Sequence, residues 1–127
     1  MMPCFCSVDV AHALHPIKGK RMDITNKPVM VKALYQAGVF AVYATDAQAI
    51  AILCQLCDEK GIPYQRFVNR SDSRGGSTLG SIAGTLLPVK TVDIGIPILA
   101  MHSACELMGV RDMKALSDCV TAFFGYH

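Results

Sequence analysis

Between Asp46 and Gly61 runs one uninterrupted helical pattern with strand-like runs on either side, and that alternation confines the chain to an α/β layer fold. Thr45-Asp46 supplies an N-cap region for the run from Ala47 to Lys60, and Gly61 closes it. Ile50, Leu53, Cys54 and Cys57 recur at helical spacing and give the run one apolar face. Ahead of it, Cys4 to Val10 reads as a strand that ends near Asp9 and passes into a loop from Ala11, and Lys18 to Lys27 reads as a second loop. Val29 to Leu34 and Val39 to Tyr43 read as further strands. Beyond the helix, Ile62 to Val68 and Val89 to Ile94 are strand-like, separated by the polar loop Asn69 to Gly76 and a short helix within Ser77 to Leu87. From Ser103 the pattern turns helical, with Asp112 capping a last segment through Phe124 whose apolar positions include Met113, Leu116, Val120 and Phe123. The expected architecture is a layered α/β sandwich with a mixed, largely parallel sheet in one domain, residues 1–127.

Composition narrows the function classes. With 127 residues, 52% of them hydrophobic and 17% charged, the chain can bury a real core. The net charge of +2 is dispersed along the sequence, so no nucleic-acid partner is indicated. No stretch reaches the roughly 18 uninterrupted apolar residues of a spanning helix. No basic region precedes an apolar one at the N-terminus, so neither a membrane partner nor export is expected. The six cysteines then read as reduced thiols in a cytoplasm.

The residues with chemical potential gather at strand ends. Asp9-Val10-Ala11-His12-Ala13-Leu14-His15 puts a carboxylate and two imidazoles within seven residues, where α/β sheets commonly place ligands. D-x-x-H is short and common, so an exposed loop with ordinary histidines is an equal reading of the spacing. His102 follows a strand and precedes a helix, and its interest depends on a second donor lying near it in space. In Arg70-Ser71-Asp72-Ser73-Arg74-Gly75-Gly76-Ser77-Thr78, paired glycines let backbone amides approach a ligand at a helix N-terminus. The loop lacks the lysine and spacing of a P-loop, and a plain tight turn is the alternative. Cys54-x-x-Cys57 and Cys4-x-Cys6 have spacings seen in zinc sites, but Cys54 and Cys57 lie on the helix's apolar face and read as small buried hydrophobes.

Five segments in order, Ser7 to Pro16, Tyr43 to Asp46, Arg70 to Gly80, Thr91 to Pro97 and Ala100 to Ser103, together resemble the aspartyl aminopeptidase family of dinuclear zinc enzymes, specifically the C-terminal part of its catalytic domain. The resemblance implies two zinc ions per complete site, bridged by an aspartate and a water, which generate a hydroxide nucleophile. It implies that Asp9 is a ligand of one zinc and His102 of the other. His12, Lys32 and Tyr43 match substrate-contacting positions, a basic residue there suiting an acidic N-terminal side chain, and Gly75-Gly76-Ser77-Thr78 matches the loop beside the site. The chain departs from the family at Val42, where an arginine is usual, at Ile17, where asparagine follows the proline, and in a longer interval between Lys32 and Tyr43.

The family's first histidine ligand, bridging aspartate, catalytic glutamate and neighbouring glutamate all lie upstream of the segment ending in Asp9. The expectation is therefore a catalytic domain that is incomplete, without its general base and without the inserted lid or dimerisation domain. Two function classes follow: a fragment of an aminopeptidase that removes N-terminal Asp or Glu from peptides, inactive alone, or a non-catalytic module that self-associates as a homo-oligomer through the surface the missing half would cover. One copy supplies too few donors for tetrahedral zinc, and a third arrangement, ranked below these two, has Asp9, His12 and His102 of neighbouring copies build a metal site.

Overall fold

A computed structural model describes residues 4–32, 34–37, 45–70, 72, 76 and 79–126. The described elements run in the order β1 (Cys4–His12), β2 (Leu34–Ala37), α1 (Ala47–Lys60), β3 (Tyr64–Phe67), α2 (Leu79–Leu86), β4 (Lys90–Leu99), β5 (Leu107–Met108) and α3 (Val110–Phe124), with a short 3-10 turn at Gly19–Arg21. The sheet order is β1-β4-β2-β3, and β5 also pairs with β4. β1 lies parallel to β4 from Cys4↔Lys90 to His12↔Ile98, and β2 is parallel to β3. The β2–β4 and β4–β5 pairings are shorter and antiparallel. The fold is therefore α/β with a mixed, largely parallel sheet, as the sequence predicts.

β4 is buried from Thr91 to Ile98, as a central strand must be when both its faces are covered. Alternation sends Val92, Ile94, Ile96 and Ile98 to one face, where they join Ala49, Leu53 and Cys57 of α1 and Ala115, Leu116 and Cys119 of α3 in the core. The opposite face carries Asp93, almost wholly buried, against which α2 presents Gly80. A Cβ at Gly80 would lie 2.4 Å from Asp93 Oδ1, so only glycine permits this approach.

α1 has the predicted bounds. Asp46 accepts the Gln48 and Ala49 N–H groups, and Gly61, at φ 64°, takes the left-handed closing position. Its buried stripe is Ala49, Leu53, Leu56 and Cys57, while Ile50 and Cys54 are half-buried. Cys57 Sγ lies 3.8 Å from Cys119 Sγ, and that hydrogen bond, followed by burial, raises the Cys57 pKa. Burial, then Cys4 beside it, pushes the Cys6 thiol up to about 12.

Several boundaries differ from the sequence expectation. β1 continues three residues past Asp9 because Ala11 and His12 still pair with Pro97 and Ile98. Of the expected strand Val29 to Leu34, residues 29–32 are not strand, and β2 begins at Leu34. Instead, Gln65 clamps Val29, its Oε1 accepting the Val29 N–H at 3.0 Å and its Nε2 donating to the Val29 carbonyl at 2.9 Å. Val31 is left-handed at φ 66°. Asp112 is the third residue of α3, whose N-cap is Gly109, and a β-hairpin precedes that helix where a helical run was expected from Ser103. The expected strand Val39 to Tyr43 falls outside the described residues.

Candidate functional site

The carboxyl ends of the parallel strands β1 and β4 bring His12 and the loop that carries His102 to the same edge of the sheet. Asp9 pairs across the ladder with Gly95 and His12 with Ile98, so Asp9 lies about 10 Å back along β1 from His12. An odd separation on a strand places the two side chains on opposite faces. Both are exposed, and Asp9 Oδ1 accepts the N–H of Val10 at 2.8 Å.

His102 sits in the loop of the β4–β5 hairpin. Ala100 at φ 57° and His102 at φ 68° are both left-handed, a costly arrangement for residues carrying a Cβ. Two contacts hold it: Ser103 N–H donates to the Ala100 carbonyl at 3.0 Å, and Glu106 Oε1 accepts the His102 N–H at 2.6 Å. The left-handed backbone is thus concentrated around an exposed imidazole whose own N–H is held by a nearby carboxylate. Sequence reasoning singled out His102 but missed Glu106, whose only signal is a carboxylate four residues on.

Lys32 is exposed and follows the strained Val31. The fully buried Asp112 accepts the Val31 N–H at 2.6 Å through Oδ2, which ties the Lys32 loop to the start of α3. Gly109 permits this close approach, because a Cβ there would lie 2.4 Å from Asp112 Oδ2 and 3.0 Å from Val31 N. Of the predicted glycine loop, Gly76 is exposed with open space around its Cα. Gly75, Ser77, Thr78 and Tyr43 lie outside the described residues.

A cavity of about 360 Å³ opens beside His12 and extends to Ala100 at the end of β4, and His15, Lys18, Arg21 and Asn69 also line it. It brings the end of β1 next to the hairpin that carries His102. Among the described residues, no three His, Cys, Asp or Glu side chains converge as a metal site.

Comparison with known proteins decides the family. The pattern of the aminopeptidase I zinc metalloprotease family (M18) matches residues 2–124. The chain belongs to the M18 family. A probable M18 family aminopeptidase 2 of Clostridium acetobutylicum is 47% identical over 119 residues, covering 93% of this chain and 28% of the relative. The Ape4 and Nbr1 complex, solved by cryo-EM, superposes with a TM-score of 0.91 at 32% identity over 95% of this chain and 23% of that one. The S. cerevisiae mApe1 dodecamer shares the fold, with a TM-score of 0.84 at 23% identity over 97% of this chain and 27% of that one. The M18 chain thus spans about a quarter of the length of the curated relatives it matches, 28% and 25% for two of them.

A zinc family poses a test of the donors. The Asp9 carboxylate and the His102 imidazole are the right chemistry, exposed and without a side-chain partner among the described residues. Their number is insufficient, since even an open catalytic zinc site takes three protein ligands. Among the described residues, no third His, Cys, Asp or Glu converges with either donor.

Proposed function

We propose that this chain forms one wall of the dinuclear zinc site of an aminopeptidase that removes acidic N-terminal residues, and that it is inactive alone. In this reading Asp9 and His102 each give one ligand to a different zinc, His12, Lys32 and Tyr43 contact the peptide, and the Gly75-Gly76-Ser77-Thr78 loop borders the site. The bridging aspartate, the general base and any lid or dimerisation domain come from polypeptide other than these 127 residues. The observation that carries the reading is the placement of His12 and the strained His102 hairpin at the carboxyl ends of the paired strands β1 and β4. The six free cysteines support a cytoplasmic setting, and no described helix is long and apolar enough to cross a membrane.

The test is hydrolysis of aspartyl- and glutamyl-anilides by the purified chain with zinc, cobalt or manganese, with its metal content measured alongside. The expected result is no turnover and little retained metal, with turnover gained when the remaining portion of the Clostridium acetobutylicum relative is added. Metal-dependent turnover by the chain alone would overturn the claim of an incomplete site. A second reading, a non-catalytic module that assembles as a homo-oligomer, is favoured by one observation: β1 pairs with β4 on one side, and among the described residues its other edge has no strand. That reading gains if the complementing portion restores nothing and the chain self-associates.

A further inference from the structure

The cavity beside His12 has a charge pattern that the proposed zinc chemistry does not use. The segment Lys18 to Arg21 places three cations in four residues, whereas the whole chain carries a net charge of only +2. Lys18 and Arg21 both line the cavity, with His12, His15 and Asn69. The backbone beneath them is built, not loose. Lys18 N–H donates to the His15 carbonyl at 3.2 Å, and Arg21 N–H donates to the Lys18 carbonyl at 3.0 Å. Arg70, arriving from the end of β3, donates through Nη1 to the Lys20 carbonyl and locks the turn in place.

The charges in this pocket divide into committed and uncommitted groups. Arg70 is committed, its Nε pairing with Asp72 Oδ1 at 2.7 Å. Asp23, the acid among the described lining residues, turns Oδ1 into its own turn and keeps its negative charge beside the cations. Its Oδ1 accepts the N–H of Asn26 at 2.8 Å and of Thr25 at 3.0 Å, and these bonds hold its carboxyl below the ordinary value. Lys18 and Arg21 have no carboxylate at ion-pair distance among the described residues. His15 Nδ1 accepts the Ile17 N–H at 3.2 Å, which leaves the ring proton on Nε2 and makes that nitrogen a donor. Two unpaired cations and an imidazole donor around a concavity at the lower end of the roughly 300–1,000 Å³ range of small-molecule sites match a compact oxyanion.

We propose that this cavity is an oxyanion site in which Lys18, Arg21 and His15 hold a carboxylate or phosphate group. The site needs neither zinc nor peptidase activity, so it stands or falls separately from the function proposed above. The test titrates the full 127-residue chain with inorganic phosphate and, in a second arm, with succinate, following backbone amide shifts of Ala13, Lys18, Arg21 and Asn69 by NMR at low salt.

Saturable shifts at these amides are expected, and Lys18→Ala or Arg21→Ala should each weaken binding by about tenfold. Arg21→Lys, which keeps the charge, should retain most of it and separates loss of the site from loss of the fold. Saturation by phosphate alone assigns the site to phosphate groups, and comparable saturation by succinate assigns it to carboxylates. Shifts that saturate with neither ion, or that persist undiminished in the Lys18→Ala, Arg21→Ala double variant, would overturn the proposal.

Discussion

Among the described residues, three with a Cβ, Val31, Ala100 and His102, adopt left-handed backbone, and the first shows how a buried carboxylate enforces such a conformation. Holding Val31 there costs about 1–2 kcal/mol, which the hydrogen bond from its N–H to Asp112 offsets. Replacing Val31 with glycine removes the steric cost and adds about 0.5–1 kcal/mol of backbone entropy loss, so a slight net gain in stability is expected. Gly109→Ala should do the opposite. Its Cβ would meet Asp112 Oδ2 and the Val31 backbone, and a loss of about 1–3 kcal/mol is expected. Urea melts of both variants check the pair, and a Gly109→Ala chain as stable as wild type would refute the close approach. Neither effect was legible in the sequence. Asp112 reads there as a helix cap, and only the fold reveals that its carboxylate reaches a loop 81 positions away.

At the scale of the element, legibility tracked how local the determinants are. α1 was read to its bounds because its start, Asp46, and its stop, Gly61, lie next to it in sequence and act on adjacent backbone groups. The same locality makes the cap separable: Asp46→Ala should cost about 1 kcal/mol, seen as a lower urea midpoint with an unchanged slope. No change would mean that the Asp46 N–H bond to the Thr91 carbonyl, 2.8 Å, secures the helix start without the side chain. The segment from Val29 failed as a strand for the opposite reason. Its partners are the Gln65 side chain and the Asp112 carboxylate, and neither signal lies within the segment. The hairpin at Leu107–Met108 was likewise hidden, since two residues pairing antiparallel with Ile98 and Leu99 leave no periodicity to detect. For the candidate site, strand-end placement of His12 and of the hairpin carrying His102 follows the sequence pattern, but Asp9 lies three residues inside β1, and the cavity assembled from Lys18, Arg21 and Asn69 joins parts of the chain that no motif connects.

For the whole molecule, the consequence lies at β1. All nine of its residues pair with β4, and among the described residues no strand occupies its other edge. Val8, 51% exposed, and Val10, 36% exposed, share a face with the core residues Ile94 and Ile96 of β4, yet α1 and α3 do not cover them. An open edge beside exposed β-branched residues is a template for strand addition. Either polypeptide from a longer relative or a second copy would satisfy it. The purified chain, with only a second copy available, should therefore self-associate in a concentration-dependent way under sedimentation velocity. Val10→Lys should shift that equilibrium toward monomer by about tenfold, because a charge there must be desolvated when the edge is covered. The circular dichroism spectrum should not change, since Val10 lies outside the buried core. A chain that stays monomeric at every concentration would remove the support for the self-associating module and leave the edge to a separate polypeptide. Association unaffected by Val10→Lys would instead move the interface to another apolar surface, of which α2, with Leu79 and Leu86 each 75% exposed, is the first to examine.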